Sequence, residues 1–238
     1  MHSPNFSSRA GAGVSMLVMH YTGMPSGREA IARLCEEVAK VSAHYVIEED
    51  GTVWNLVDEA ECAWHAGLSY WRGHRNVNNI SIGIEIVNPG HEWGYRTFPQ
   101  VQMEAVAELS RGIVARHSIE PHNVVAHSDV APARKEDPGE LFDWQWLAGQ
   151  GVGLWPVLEA TLSESMPLGE DSCGEPVLRM QRDLAAYGYD VPQNGVYDAA
   201  TIKTAIAFQR HFRPSDIGGI WDKECARRLQ ALLDLTLA

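Results

Sequence analysis

Apolar and polar positions recur along this chain with two different periods, and the changes between them mark its elements. Ser15-Met16-Leu17-Val18-Met19 is a short apolar run that predicts a buried strand. Ser26-Gly27-Arg28-Glu29 has capping-box spacing, and Ile31, Leu34, Cys35 and Val38 follow at helical intervals, so a helix is expected over about 27–40. Two β-prone runs, Ala43 to Ile47 and Thr52 to Val57, meet across Glu49-Asp50-Gly51, which signals a hairpin. In Ser81-Ile82-Gly83-Ile84-Glu85-Ile86-Val87, a period of two puts the three isoleucines on one face and Gly83, Glu85 and Val87 on the other. Pro99 to His117 carries a helical apolar stripe, Val124-Val125-Ala126 reads as another short strand, and Phe142 to Leu147 as a short helix. Strands alternating with helices predict an α/β domain.

The rhythm weakens around Ser163 to Glu175 into Ser, Pro, Gly and acidic residues. This divides the chain into a domain over 1–162, a linker over 163–175 and a helical domain over 176–238. The last part reads as three helices, Pro176 to Tyr187, about Asp198 to Phe212, and one starting near Asp222. Two of its turns look related, Asn194-Gly195-Val196-Tyr197-Asp198 and Ile217-Gly218-Gly219-Ile220-Trp221-Asp222, and each ends in an aspartate placed to cap the next helix. At about 65 residues such a module is small but within the range that folds alone.

Composition narrows the function. The 238 residues are 45% hydrophobic and 21% charged, the make-up of a soluble protein with a sizeable core. A net charge of -12, with no basic cluster, argues against nucleic acid and against an anionic membrane surface. Met1 to Gly13 is polar, without an apolar signal core or a lipid-attachment cysteine, and no segment is apolar enough to span a membrane. The expected setting is the cytoplasm; a periplasmic or outer-membrane-associated one is the alternative if the native N-terminus is longer. Cys35, Cys62, Cys173 and Cys225 are scattered, form no CxxC and are read as reduced thiols.

Candidate chemistry gathers where strands end. His20 directly follows the first apolar run, and His127 follows Val124-Val125-Ala126. The stretch from His127 to Gly139 is kept from regular helix by Pro132, Pro138 and its final glycine, and it carries Lys135 and Asp137. A catalytic zinc needs three protein ligands and an open position, and His20, His127 and Asp137 meet that count. Glu85, a carboxylate inside an apolar strand, is costly to bury unpaired and is the candidate base. Lys135 is the candidate partner for a developing oxyanion. Together these residues describe metal-assisted amide hydrolysis. The segment from Trp64 to about Asn79, rich in Trp, Arg, His and Asn, is either a ligand wall or a solvated excursion. His2, His44, His74, His91, His117, His122 and His211 are read as structural or surface residues.

Met19-His20-Tyr21-Thr22, Trp64-His65-Ala66-Gly67, Asn79 to Glu85 and His127 to Gly139 resemble, in order, the motifs of the zinc N-acetylmuramoyl-L-alanine amidases. That family includes AmpD-like and AmiD-like bacterial enzymes and is related to phage amidase lysozymes and animal peptidoglycan recognition proteins. The resemblance covers about residues 14 to 150. It implies a mixed central β-sheet flanked by helices, zinc (Zn2+) on His20, His127 and Asp137, Glu85 as base and Lys135 as oxyanion partner. It further implies that His65 and Asn79 line a sugar-peptide groove. The phage enzymes carry a catalytic tyrosine where this chain has Ala43, which favours the bacterial subgroup. Val177 to Leu184, Asn194-Gly195 and Ala205 to Arg210 are similar to the three-helix peptidoglycan-binding domain. The implied substrate is peptidoglycan or its anhydromuropeptide fragments, cut between N-acetylmuramic acid and L-alanine. The alternative is a recognition protein that binds muropeptides without cutting them.

Overall fold

The structure is a computed structural model that describes residues 1–158 and 166–237. The expected domain boundary at 162/163 lies outside the described residues. Strand β1 (Phe6–Ser8) is followed by β2 (Met16–Tyr21), helix α1 (Gly27–Leu34), β3 (Tyr45–Ile47), β4 (Val53–Asn55) and β5 (Glu61–Ala63). Then come α2 (Val77–Ile80), β6 (Ser81–Ile86), α3 (Gly90–Trp93), α4 (Gln100–His117), β7 (Val124–Ala126), α5 (His127–Val130) and α6 (Trp144–Gly149). The C-terminal module is α7 (Glu175–Tyr187), α8 (Ala199–Phe212) and α9 (Lys223–Leu237).

The main sheet has the order β4-β3-β6-β2-β7 and is mixed: β3, β6, β2 and β7 are parallel, and β4 returns antiparallel on β3 through the hairpin at Gly51. The period-two reading of β6 holds, and β2 alternates in the same way. Leu17, Met19, Ile82, Ile84 and Ile86 share a core with Met103, Val106 and Ile113 of α4. Met16 and Val18, on the opposite face, share a core with Val177, Leu184, Tyr189 and Phe208 of the C-terminal module. Helices thus cover both faces, as parallel strands require. On that second face His20 stands beside Glu85, its register partner across β2 and β6.

Two elements differ from expectation. The helix expected to reach residue 40 stops at Leu34, although the apolar spacing continues to Val38, which is 77% exposed. The N-terminal segment ends it from outside: Ser3 donates to the Leu34 carbonyl, and Asn5 Nδ2 donates to those of Glu36 and Val41. The segment after β7 is not irregular from its first residue, because His127 opens the single turn α5, which stops short of Pro132. Within the C-terminal module the two related turns are each clamped by a buried glutamine. Gln181 accepts from Gly195 N–H and donates to the Val196 carbonyl; Gln209 accepts from Gly219 N–H and donates to that of Ile220. Asp198 and Asp222 cap the following helices, as expected. None of the four cysteines is in a disulfide.

Candidate metal centre and active site

His20 reaches the site from the end of β2, His127 from the first residue of α5, and Asp137 from the loop beyond. A backbone bond from Ser128 N–H to the Asp137 carbonyl (3.0 Å) brings the last two together. All three are buried, and their donor atoms converge: His20 Nδ1 lies 2.9 Å from His127 Nδ1, and each lies 3.0 Å from Asp137 Oδ2.

The outward-facing nitrogens decide what these atoms present to one another. The Ser81 hydroxyl donates to the Val77 carbonyl at 2.7 Å and accepts from His65 Nε2–H at 3.0 Å. That leaves His65 Nδ1 to accept from His20 Nε2–H, also at 3.0 Å. A carbonyl cannot donate, so the whole chain of bonds runs one way and leaves His20 Nδ1 without a proton. His127 Nε2–H points at the Ala66 carbonyl, 3.2 Å away, and leaves its Nδ1 unprotonated in the same manner. Burial, reinforced by His127, lowers the pKa of His20 to about 4, so it is neutral near pH 7. Burial pushes the Asp137 carboxyl up, but His127 and His20 outweigh this and hold it well below the usual carboxylate range. Two imidazole lone pairs and a carboxylate therefore face one another at a spacing that lets one zinc-sized ion touch all three. The donor set fits zinc, and His65 holds its ligand as an outer-shell partner does.

His127 and Asp137 line a cleft of about 560 Å³ together with His65, Glu85, His91, Arg134 and Lys135, while His20 is 1% exposed. Burial, with the Asp137 charge, raises the Glu85 carboxyl well above its ordinary value, and Lys135 acts the other way. Its Oε2 is buried without a hydrogen-bond partner. His65 lies over Gly83, where a Cβ would fall 2.4 Å from the imidazole Cγ, so this strand position must be glycine for the ring to reach His20.

Of the residues singled out in the sequence, His127, Asp137, Glu85, Lys135 and His65 line this cleft, and His20 joins them through its contacts with His127, Asp137 and His65. Asn79 is outside the cleft lining, and its Oδ1 accepts from Cys62 Sγ. Its neighbour Asn78 holds the cleft wall, accepting from the N–H groups of His65 and Ala66. The 64–79 segment divides in function: Trp64 and His65 line the cleft, whereas Trp71 is buried against Tyr187 and Tyr189. Three residues at the site carry no sequence signal of their own. Ser81 closes the hydrogen-bond chain, Arg134 bonds the carbonyls of Ala66 and Leu68, and His91 stands at the rim bonded to Tyr21 and Glu140.

Comparison with known proteins gives the family and the fold. A family profile described as N-acetylmuramoyl-L-alanine amidase matches residues 10–140, and one for a peptidoglycan binding domain matches residues 173–229. The chain is 38% identical over 235 residues to the N-acetylmuramoyl-L-alanine amidase AmiD of Escherichia coli, covering 93% of this chain and 83% of that one. It is 30% identical over 164 residues to the 1,6-anhydro-N-acetylmuramyl-L-alanine amidase AmpD of Haemophilus influenzae, covering 61% and 87%. Among solved structures, the E. coli AmiD complex with anhydro-N-acetylmuramic acid-L-Ala-D-gamma-Glu-L-Lys superposes with a TM-score of 0.81 at 36% identity, over 99% of this chain and 93% of that one. AmpDh3 of Pseudomonas aeruginosa, in complex with anhydromuramic pentapeptide, gives 0.77 at 29% identity, over 99% and 96%.

Proposed function

The chain belongs to the N-acetylmuramoyl-L-alanine amidases, and from that premise we propose how its own residues cut the amide between N-acetylmuramic acid and L-alanine. The observation that carries the reading is the convergence of three buried donor atoms at 2.9–3.0 Å beside an unpartnered carboxyl. His20, His127 and Asp137 would hold a zinc ion, which when bound would supply acidified water and a Lewis acid for the carbonyl. Glu85, fixed by β6 next to His20, takes the proton of the attacking water as its oxygen bonds to the lactyl carbonyl carbon. The Lys135 ammonium steadies the negative charge on the carbonyl oxygen. Glu85 then passes the proton to the alanine nitrogen as the C–N bond breaks, giving a free carboxylate and a free stem peptide.

Anhydromuropeptide fragments are the proposed main substrate, supported by the fragments bound in the two solved relatives. Among the described residues no helix is long and apolar enough to cross a membrane. A cytoplasmic enzyme meets soluble fragments and not the wall polymer, so the cytoplasm is proposed with that substrate. Product mass spectrometry on soluble fragments and intact sacculi, each with and without a chelator, tests both points. Faster release from sacculi would overturn the fragment preference and the compartment together. In the same assay Glu85→Gln is expected to keep zinc while losing about 10²–10⁴-fold in turnover. Wild-type turnover in that variant would remove Glu85 as the base.

A further inference from the structure

The C-terminal module grips the segment that carries two of the three ligands. Asp129, two residues after His127, is 1% exposed, and its carboxylate accepts three hydrogen bonds. One comes from Ala126 N–H in its own segment, at 2.8 Å. The other two come from the helical module: His211 Nδ1–H of α8 and the Tyr189 hydroxyl, both at 2.6 Å. The His211 ring is 2% exposed and stacks on Trp144 with centroids 3.8 Å apart. One residue earlier on α8, Arg210 reaches Glu136 at 3.1 Å and Glu140 at 3.5 Å, the carboxylates flanking the Asp137-Pro138-Gly139 turn. Lys203, two turns back along the same helix, donates to the Ala133 carbonyl at 3.1 Å. Four side chains of the module thus hold residues 129, 133, 136 and 140, and the groups between and beside them are His127, Lys135 and Asp137.

A wall anchor needs only a tether and a binding surface. It does not need a buried, fully bonded carboxylate shared with the catalytic segment. We infer that the helical module braces this segment, with His211, Arg210 and Lys203 as positioning residues that hold the metal ligands and Lys135 in place. This rests on the metal reading given above. The brace acts whatever the substrate, so it works on small soluble fragments, to which attachment to a wall contributes nothing.

The test uses the full-length zinc protein and a soluble anhydromuropeptide. Lys203→Ala combined with Arg210→Ala removes two grips without opening the core; His211→Leu strips the buried carboxylate of one donor, and His211→Asn offers it an amide N–H at the position of Nδ1 in exchange. Zinc transfer to a chromophoric chelator, kcat, KM and thermal midpoint are measured for each. The double variant is expected to release zinc about 10-fold faster, the scale of losing outer-shell support. Its kcat should fall several-fold with KM within two-fold and its thermal midpoint nearly unchanged. His211→Leu should exceed this, and His211→Asn should restore most of it. If His211→Leu does not fold, the double variant decides alone. Wild-type zinc release and kcat in the double variant overturn the brace while leaving the catalytic reading intact. Failure of the unaltered protein to hold zinc or to cut the fragment overturns the catalytic reading itself.

Discussion

The Ser81 hydroxyl gives its proton to the Val77 carbonyl, and that bond fixes which nitrogen His20 turns to the centre. Removing the serine oxygen frees the chain to run either way, since His65 can then carry its proton on either nitrogen. Ser81→Ala is therefore expected to weaken zinc binding by about 10-fold, and His65→Phe by at least as much. A competition titration against a chelator of known affinity measures this, and unchanged affinity in both variants would sink the relay. His20, His127, Glu85 and Asp137 were legible because each is a polar residue set against an apolar strand or a helix-breaking loop. Ser81 was not. It looks like the ordinary first residue of a strand, and its role comes from a ring 16 residues away. His211 reads equally well as a surface residue until the fold sets it against Asp129, 82 residues distant.

Elements are tied by similar long-range bonds. Glu59, in the turn between β4 and β5, accepts from Tyr45, Arg116 and His117, so one carboxylate joins β3 to the last turn of α4. Burial pushes the Glu59 pKa up, but the bonds from Arg116, Tyr45 and His117 win and bring it from 4.5 down to about 2. A depressed carboxyl stabilises the fold above its unfolded value, and the contribution fades as pH falls from about 4.5 towards 2. The depression corresponds to on the order of 3 kcal/mol at neutral pH. Denaturant unfolding at pH 7 should show Glu59→Gln less stable by about 2–3 kcal/mol, with the gap closing steadily below pH 4. A gap as large at pH 3 as at pH 7 would mean that the carboxylate charge is not what Glu59 contributes. At this scale strand alternation was readable because a single face decides it. The end of α1 was not, since Val38 keeps helical spacing while Ser3 and Asn5, from the N-terminal segment 31 residues earlier, take the carbonyls that further turns would have used.

At the scale of the molecule, the sequence suggests two domains on a linker, and the packing predicts that they unfold as one unit. Met16, Val18, Trp71, Val125 and Val130 of the catalytic part lie in the same core as Leu184, Tyr189, Phe208 and Phe212 of the helical part. A shared core cannot melt on one side only without exposing apolar surface on the other. Calorimetry should therefore give one cooperative transition, although the helical part alone is of a size that can fold. Bound zinc should stabilise the whole unit. At 1,000 times its dissociation constant a ligand adds about 4 kcal/mol. At ~2–4 °C per kcal/mol for a chain of this size, chelation should lower the midpoint by about 8–16 °C. The shift should carry the entire heat peak with it, because the ligand segment and α8 share the Asp129 carboxylate. Two peaks, with only one responding to the chelator, would mean that the helical part is merely attached, and the brace would fall with the common core.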